Sequence, residues 1–118
     1  MILTVTDCLF CAIAGGEIPV TLVGETDRVL AFRDINPQAP THVVVISKAH
    51  YPDLAALAAA DDALLGELVR QTHQAATAEG IGDTGYRVVF NTGGHAGQEV
   101  PHVHAHVLGG RSLTWPPG

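Results

Sequence analysis

The alternation His102-Val103-His104-Ala105-His106-Val107 restricts the fold of this chain more tightly than any other feature. A repeat of two residues matches a β-strand, whose successive side chains point to opposite faces. The three imidazoles then share one face, and Val103, Ala105 and Val107 share the other. Such a strand needs a sheet and a second layer to cover its apolar side, and it presents a row of rings on the reverse.

The remaining pattern supplies that sheet. Strand-like runs at residues 20–25, 28–33 and 42–47 are separated first by Thr26-Asp27, a hairpin-sized gap that pairs the first two antiparallel. The second gap is Asp34-Ile35-Asn36-Pro37-Gln38-Ala39-Pro40. Residues 53–79 carry Leu64, Leu65, Leu68, Val69, Thr72, Ala75 and Ala76 at helical spacing until Gly80, with Asp61 or Asp62 a suitable N-cap for the long portion. A short helix over residues 7–14 stops at Gly15-Gly16, and two further strands, 86–91 and 102–108, flank a glycine-rich loop. The expectation is one α+β domain over residues 1–118. It comprises a five-stranded antiparallel sheet in meander order, one long helix, a short N-terminal helix, and a tail at 112–118 whose prolines oppose regular structure.

Composition narrows the function. The chain has 118 residues, 47% of them hydrophobic, which suffices for one modest core. Its 12 acidic and 6 basic side chains give a net charge of -6, so a nucleic acid polymer is disfavoured as a partner. A small phosphorylated ligand is not, because backbone N–H groups and imidazoles can hold one phosphate. The longest apolar run, residues 54–60, is far short of the ~20 residues of a membrane helix, and no charged-then-apolar leader precedes Thr4. A cytoplasmic protein with no membrane partner is expected. In a reducing compartment, Cys8-x-x-Cys11 suggests metal or redox chemistry before a disulfide.

Three readings of the histidine row stand side by side. The rings can be packed or solvated without a task. They can bind a catalytic metal, since His-x-His on a strand presents two nitrogens to one ion, although no carboxylate lies among them and Glu99 is three residues upstream. Or one neutral ring can attack phosphorus, with its other nitrogen held as a donor to a backbone carbonyl and its neighbours donating to phosphoryl oxygens. Just ahead of the row, Gly93, Gly94 and Gly97 allow close backbone approach to an anion, with Asn91, Gln98 and Glu99 as polar groups. A plain connection between strands is the competing account of that loop.

The segment Gly97-Gln98-Glu99-Val100-Pro101-His102-Val103-His104-Ala105-His106-Val107-Leu108-Gly109-Gly110-Arg111 resembles the signature of the histidine triad (HIT) superfamily, and most closely its HINT branch of purine nucleoside phosphoramidases. The resemblance extends to residues 30–46, the Glu17-Ile18-Pro19 step and the terminal Trp115-Pro116-Pro117-Gly118. Glu99 stands where many relatives have serine, a variant associated with bacterial members. The resemblance implies hydrolysis of a purine nucleoside 5′-phosphoramidate, such as adenosine 5′-monophosphoramidate, or a related nucleotidyl conjugate. The path runs through a covalent nucleotidyl-His104, and catalysis needs no cofactor.

By that resemblance His106 contacts the phosphoryl group, and His102 and His42 support the array. Asp34 holds the ribose hydroxyls. Phe10, Ile13, Phe32, Ile35 and Val44 line the base pocket, while Asn91, Gln98 and Glu99 line the phosphate end. The resemblance also implies a two-fold homodimer in which Trp115 lies near the partner's site. His50 and His102 complete a structural zinc site with Cys8 and Cys11, as in some HIT proteins. Taken without the resemblance, the apolar residues read equally as core, Asp34 as a turn residue, the tail as a frayed end and the cysteines as buried thiols. His73 and His95 read as solvated or capping side chains. Two alternatives to the phosphoramidase remain: a nucleotide-binding sensor or scaffold dimer with vestigial catalysis, and a metal-dependent hydrolase.

Overall fold

The computed structural model describes residues 7–118. The expectation that no leader precedes Thr4 lies outside those residues. Among them the elements run α1 (Leu9–Ala14), β1 (Leu22–Glu25), β2 (Val29–Arg33), β3 (Thr41–Ser47), α2 (Leu54–Ala60), α3 (Asp62–Ala78), β4 (Tyr86–Val89) and β5 (His104–Gly109). No helix among the described residues is long and apolar enough to cross a membrane.

The five strands form one sheet in the order β1-β2-β3-β5-β4, and every pairing is antiparallel. The expected meander therefore holds only for the first three strands. β4 runs along the outer edge and β5 returns between it and β3, which seats the histidine strand near the middle of the sheet. Val107 pairs with Val43 on one side and Val88 on the other.

The expected long helix is two helices. Asp61 adopts an extended conformation, φ -154° and ψ 91°, ending α2 and N-capping α3 with its carboxylate on the N–H of Leu64 at 2.9 Å. An N-cap must leave helical geometry to accept that bond, so the cap interrupts the Ala/Leu run. Arg28 of the β1–β2 turn region also pairs with the Asp61 carboxylate. Strand ends shift as well. β4 stops at Val89, and β5 begins at His104, which leaves His102 in the approach to the strand.

The alternation sorts the two faces as expected. Val29, Ala31, Val43, Val45, Val103, Ala105 and Val107 pack in one core cluster with Leu57 of α2 and Leu64, Leu68, Ala75 and Ala76 of α3. On the other face, Leu30, Phe32, Val44 and Ile46 pack with Cys8, Phe10 and Ile13 from the α1 segment. Fully burying a leucine such as Leu64 or Leu68 contributes about 2 kcal/mol. The long helix pair covers its face of the sheet, whereas α1 has only six residues. On the histidine face, that shorter cover buries His102 and His104 and leaves His106 half-buried at its edge.

Candidate active site

Four imidazoles lie along that face. His42 on β3 pairs with Leu108, two residue pairs along from the Val44–His106 pair and so on the same face. His104 and His106 on β5 are followed by Gly109, and His102 precedes them. Centroids of the His104 and His106 rings are 5.1 Å apart, and Phe10 stands edge-on to His104 at 4.8 Å and to His102 at 5.8 Å.

Fixed backbone groups decide where each ring carries its proton. His104 Nδ1 is 2.7 Å from the carbonyl oxygen of His102. A carbonyl can only accept, so Nδ1 is protonated and donates, and a neutral His104 keeps a lone pair on Nε2. Nε2 has no partner among the described residues, and no buried side-chain nitrogen there is left unsatisfied, so it opens to solvent. On the other strand, the Gln38 N–H donates to His42 Nδ1 at 3.0 Å. The His42 proton therefore sits on Nε2, and it points to His106 Nδ1 at 2.8 Å, closer than Asp34 Oδ2 at 3.5 Å. His106 in turn carries its proton on Nε2, as a donor.

Burial keeps these rings neutral. It lowers the pKa of His42 and of His104 from the usual 6.5, with the Asp34 charge opposing in both. In His106, burial and then the neighbouring His104 and His42 push the value down to about 4. His102 is also pushed down to about 4, chiefly by burial.

His102 faces a different group. Its Nε2 donates to the Ser47 carbonyl at 2.7 Å, which leaves Nδ1 unprotonated. That atom lies 3.3 Å from Cys8 Sγ, 3.5 Å from Cys11 Sγ and 3.2 Å from His50 Nδ1. Cys11 Sγ is 3.3 Å from His50 Nδ1. Tetrahedral zinc with sulfur and nitrogen ligands sets edges of about 3.6 Å between S and N and about 3.3 Å between two N. The four residues fit such an ion, with the free His102 lone pair already aimed inward. A second set, Asp34, His42 and His106, also has ligand atoms within 4.8 Å of one another. It does not fit, because His42 spends its Nδ1 lone pair on Gln38 and has a proton on Nε2. The three histidines of the alternation thus turn to separate partners rather than to one ion.

Of the other expected residues, Phe10, Ile13, Phe32 and Val44 come together in one buried cluster. Ile35 does not join them and is 97% exposed. The Asp34 carboxylate accepts the Asn36 N–H at 2.8 Å, and that turn carries Ile35 outward. Asp34 stays beside His42, where a cleft of about 370 Å³ is lined by Arg33, Asp34, Pro37, Pro40, Thr41, His42 and Glu79. Gln98 ties the glycine-rich loop together, accepting from the Gly93 N–H at 3.1 Å and donating to the carbonyls of Pro52 and Val100. Asn91 is half-buried after β4, and Glu99 is exposed. Trp115 is 80% exposed, with Arg87 of β4 6.0 Å from its ring centre, so within one chain it stands apart from the histidines. His73 Nδ1 and the Tyr86 hydroxyl share a hydrogen bond at 2.7 Å, and His95 is exposed.

Sequence reasoning anticipated a backbone carbonyl for the attacking ring's second nitrogen, and that of His102 fills the place; it missed the other groups that set tautomers, the N–H of Gln38 and the carbonyl of Ser47. They are backbone atoms and leave no residue signature. One indirect signal existed in Gly109-Gly110-Arg111. Gly110 has φ +88° with an added Cβ only 2.9 Å from Pro40, and Arg111 donates to the Gln38 carbonyl at 3.3 Å. The end of the histidine strand therefore props the loop that orients His42.

Residues 15–113 match the HIT domain family. The chain belongs to that family. A HIT family hydrolase from Legionella pneumophila is 51% identical and superposes with a TM-score of 0.89, covering 94% of this chain and 99% of that one. The 14 kDa zinc-binding protein of Zea mays is 49% identical, over 93% of this chain and 87% of the maize protein. A histidine triad nucleotide-binding protein from Candida albicans is 31% identical with a TM-score of 0.79, over 92% of this chain and 82% of that one. The HIT match takes in β1 to β5, and with them His42, His102, His104 and His106.

Proposed function

We propose that this HIT protein works as a HINT-type enzyme, hydrolysing purine nucleoside 5′-phosphoramidates or related nucleotidyl conjugates through a nucleotidyl-His104 intermediate. The observation that carries this reading is the bond from His104 Nδ1 to the His102 carbonyl, which leaves an unprotonated Nε2 open to solvent. A nitrogen nucleophile needs that tautomer, and burial keeps the ring from protonating.

In the first step the His104 Nε2 lone pair forms a bond to phosphorus while the phosphorus–amine bond breaks. The leaving nitrogen, protonated from solvent before the bond breaks, departs as the neutral amine with the bond's electron pair, while His106 Nε2–H, its other nitrogen held by His42 Nε2–H, donates a hydrogen bond to a phosphoryl oxygen. In the second step water attacks phosphorus and releases a proton to solvent, and the phosphorus–nitrogen bond to His104 breaks, its electron pair returning to Nε2 as nucleoside monophosphate leaves. Positioning and hydrogen bonding to the phosphoryl oxygens supply most of the acceleration. Asp34 takes the ribose hydroxyls. The base rests against the apolar cluster of Phe10, Ile13, Phe32 and Val44, with the exposed Ile35 as a cover, and Asn91, Gln98 and Glu99 line the phosphate end.

Residues 1–118 act as one HIT-like domain in a two-fold homodimer, where the 112–118 tail brings Trp115 to the partner's site. Cys8, Cys11, His50 and His102 would hold a structural zinc ion, which would tie α1 to the sheet and take no part in bond breaking. The test is turnover of adenosine 5′-monophosphoramidate by the purified protein and by His104→Ala. The reading requires release of AMP by the first and its loss in the second with AMP binding kept. Tight AMP binding without turnover by either protein would instead support a sensor.

A further inference from the structure

One peptide unit joins the cysteine-containing cluster to His104. The carbonyl of the 102–103 peptide accepts from His104 Nδ1 at 2.7 Å, and the N–H of the same peptide donates to the Tyr51 carbonyl at 2.7 Å. The residue at one end of this peptide is His102, whose ring belongs to the cluster. Its anchor, Tyr51, directly follows His50, another member. The plane that fixes the His104 tautomer is thus held between His102 and the residue next to His50.

The cluster reaches His104 by a second route. Phe10 lies between Cys8 and Cys11 in the chain, and its ring sits edge-on to His104 at 4.8 Å. α1 has six residues, below the length at which a helix stands alone, and its N-cap is the Cys8 sulfur accepting from the Cys11 N–H at 3.4 Å. What holds Cys8 and Cys11 therefore also seats Phe10 against the ring.

We infer that the Cys8–Cys11–His50–His102 centre is a positioning device for His104, so that metal occupancy sets how firmly that ring is held as the Nδ1–H tautomer and how well the site binds nucleotide. The residues of the centre touch no substrate and act through the 102–103 peptide and Phe10. This inference rests on the reading of His104 as nucleophile only for its consequence on turnover.

The test compares full-length protein loaded with zinc, stripped with a chelator, and reloaded with the larger cadmium ion. The readouts are ¹⁵N-imidazole NMR spectra at pH 8 and AMP affinity. Loss of zinc is expected to move the His104 signals from a fixed Nδ1–H pattern towards the average of two tautomers. AMP affinity should fall on the order of tenfold, the low end for loss of an orienting partner. If the stripped protein unfolds, the cadmium form carries the test, with His104 signals expected to differ from those of the zinc form. The inference is overturned if zinc fails to bind, or if the His104 signals and AMP affinity are the same in every folded form. Turnover read in parallel separates the two claims: a ring that responds to metal in a protein with no phosphoramidate turnover keeps this inference and removes the proposed function.

Discussion

His42 Nε2 donates to His106 Nδ1 across 2.8 Å, linking the β3 histidine to the last ring of the β5 row. The bond makes His106 a hydrogen-bond donor at its outer nitrogen, and it exists because the Gln38 N–H occupies the other side of His42. Replacing His42 with alanine frees the His106 tautomer. We expect kcat for adenosine 5′-monophosphoramidate to fall about 10- to 100-fold, the usual cost of removing an orienting partner, with AMP affinity changed far less. Steady-state kinetics with parallel AMP titration measure this, and an unchanged kcat would remove the orienting role of His42.

Acid stability follows from the same buried rings. His106 has a folded value of about 4, against about 6.5 for an unfolded histidine, and His42 is lowered in the same direction. The unfolded chain binds these protons first, so stability is intact above about pH 6.5 and is lost as pH falls towards 4. For His106 alone the loss is on the order of 3 kcal/mol once pH is below both values. Urea denaturation at pH 7, 5.5 and 4.5 should give a falling unfolding free energy; a flat profile would contradict neutral burial. The acid limb of kcat/KM should likewise lie below pH 6.5, because burial lowers His104.

Asp61 divides the helical run and caps α3. Asp61→Ala removes the bond to the Leu64 N–H and the pairing with Arg28, at a cost of about 1–2 kcal/mol. Denaturant midpoints should show that loss with kcat unchanged, since neither α2 nor α3 carries an active-site side chain.

Gly110 couples strand end to loop. At φ +88°, with Pro40 2.9 Å from an added Cβ, Gly110→Ala strains the backbone and displaces the Gln38 loop. The expected outcome is a stability loss of more than about 1 kcal/mol together with a lower kcat, because the His42 tautomer is set by Gln38. A stability loss with full kcat would show that the loop tolerates the shift.

The faces of the sheet could be read directly from the sequence, because alternation at 103, 105 and 107 is enforced by burial against the helices. The Cys8, Cys11, His50 and His102 grouping and the nearness of His42 to the row were likewise anticipated, through family resemblance. Strand order was not, since nothing local to β4 tells whether β5 lies inside or outside it. The break at Asp61 was half visible as a cap, but an Ala/Leu run on both sides masks a single extended residue. Ile35 was placed in the base pocket through the family resemblance, and only the Asp34 turn shows that it points outward. The tautomer-setting groups at Gln38 and Ser47 are main-chain atoms, so no residue pattern could announce them.

The central claim is that His104 Nε2 becomes covalently bonded to phosphorus. Mass spectrometry of protein acid-quenched during turnover of adenosine 5′-monophosphoramidate, followed by peptide mapping, tests it most directly. The account predicts an adenylyl group on the peptide containing His104, absent in His104→Ala. Rapid turnover with no adduct at any quench time, or an adduct on another histidine, would contradict it.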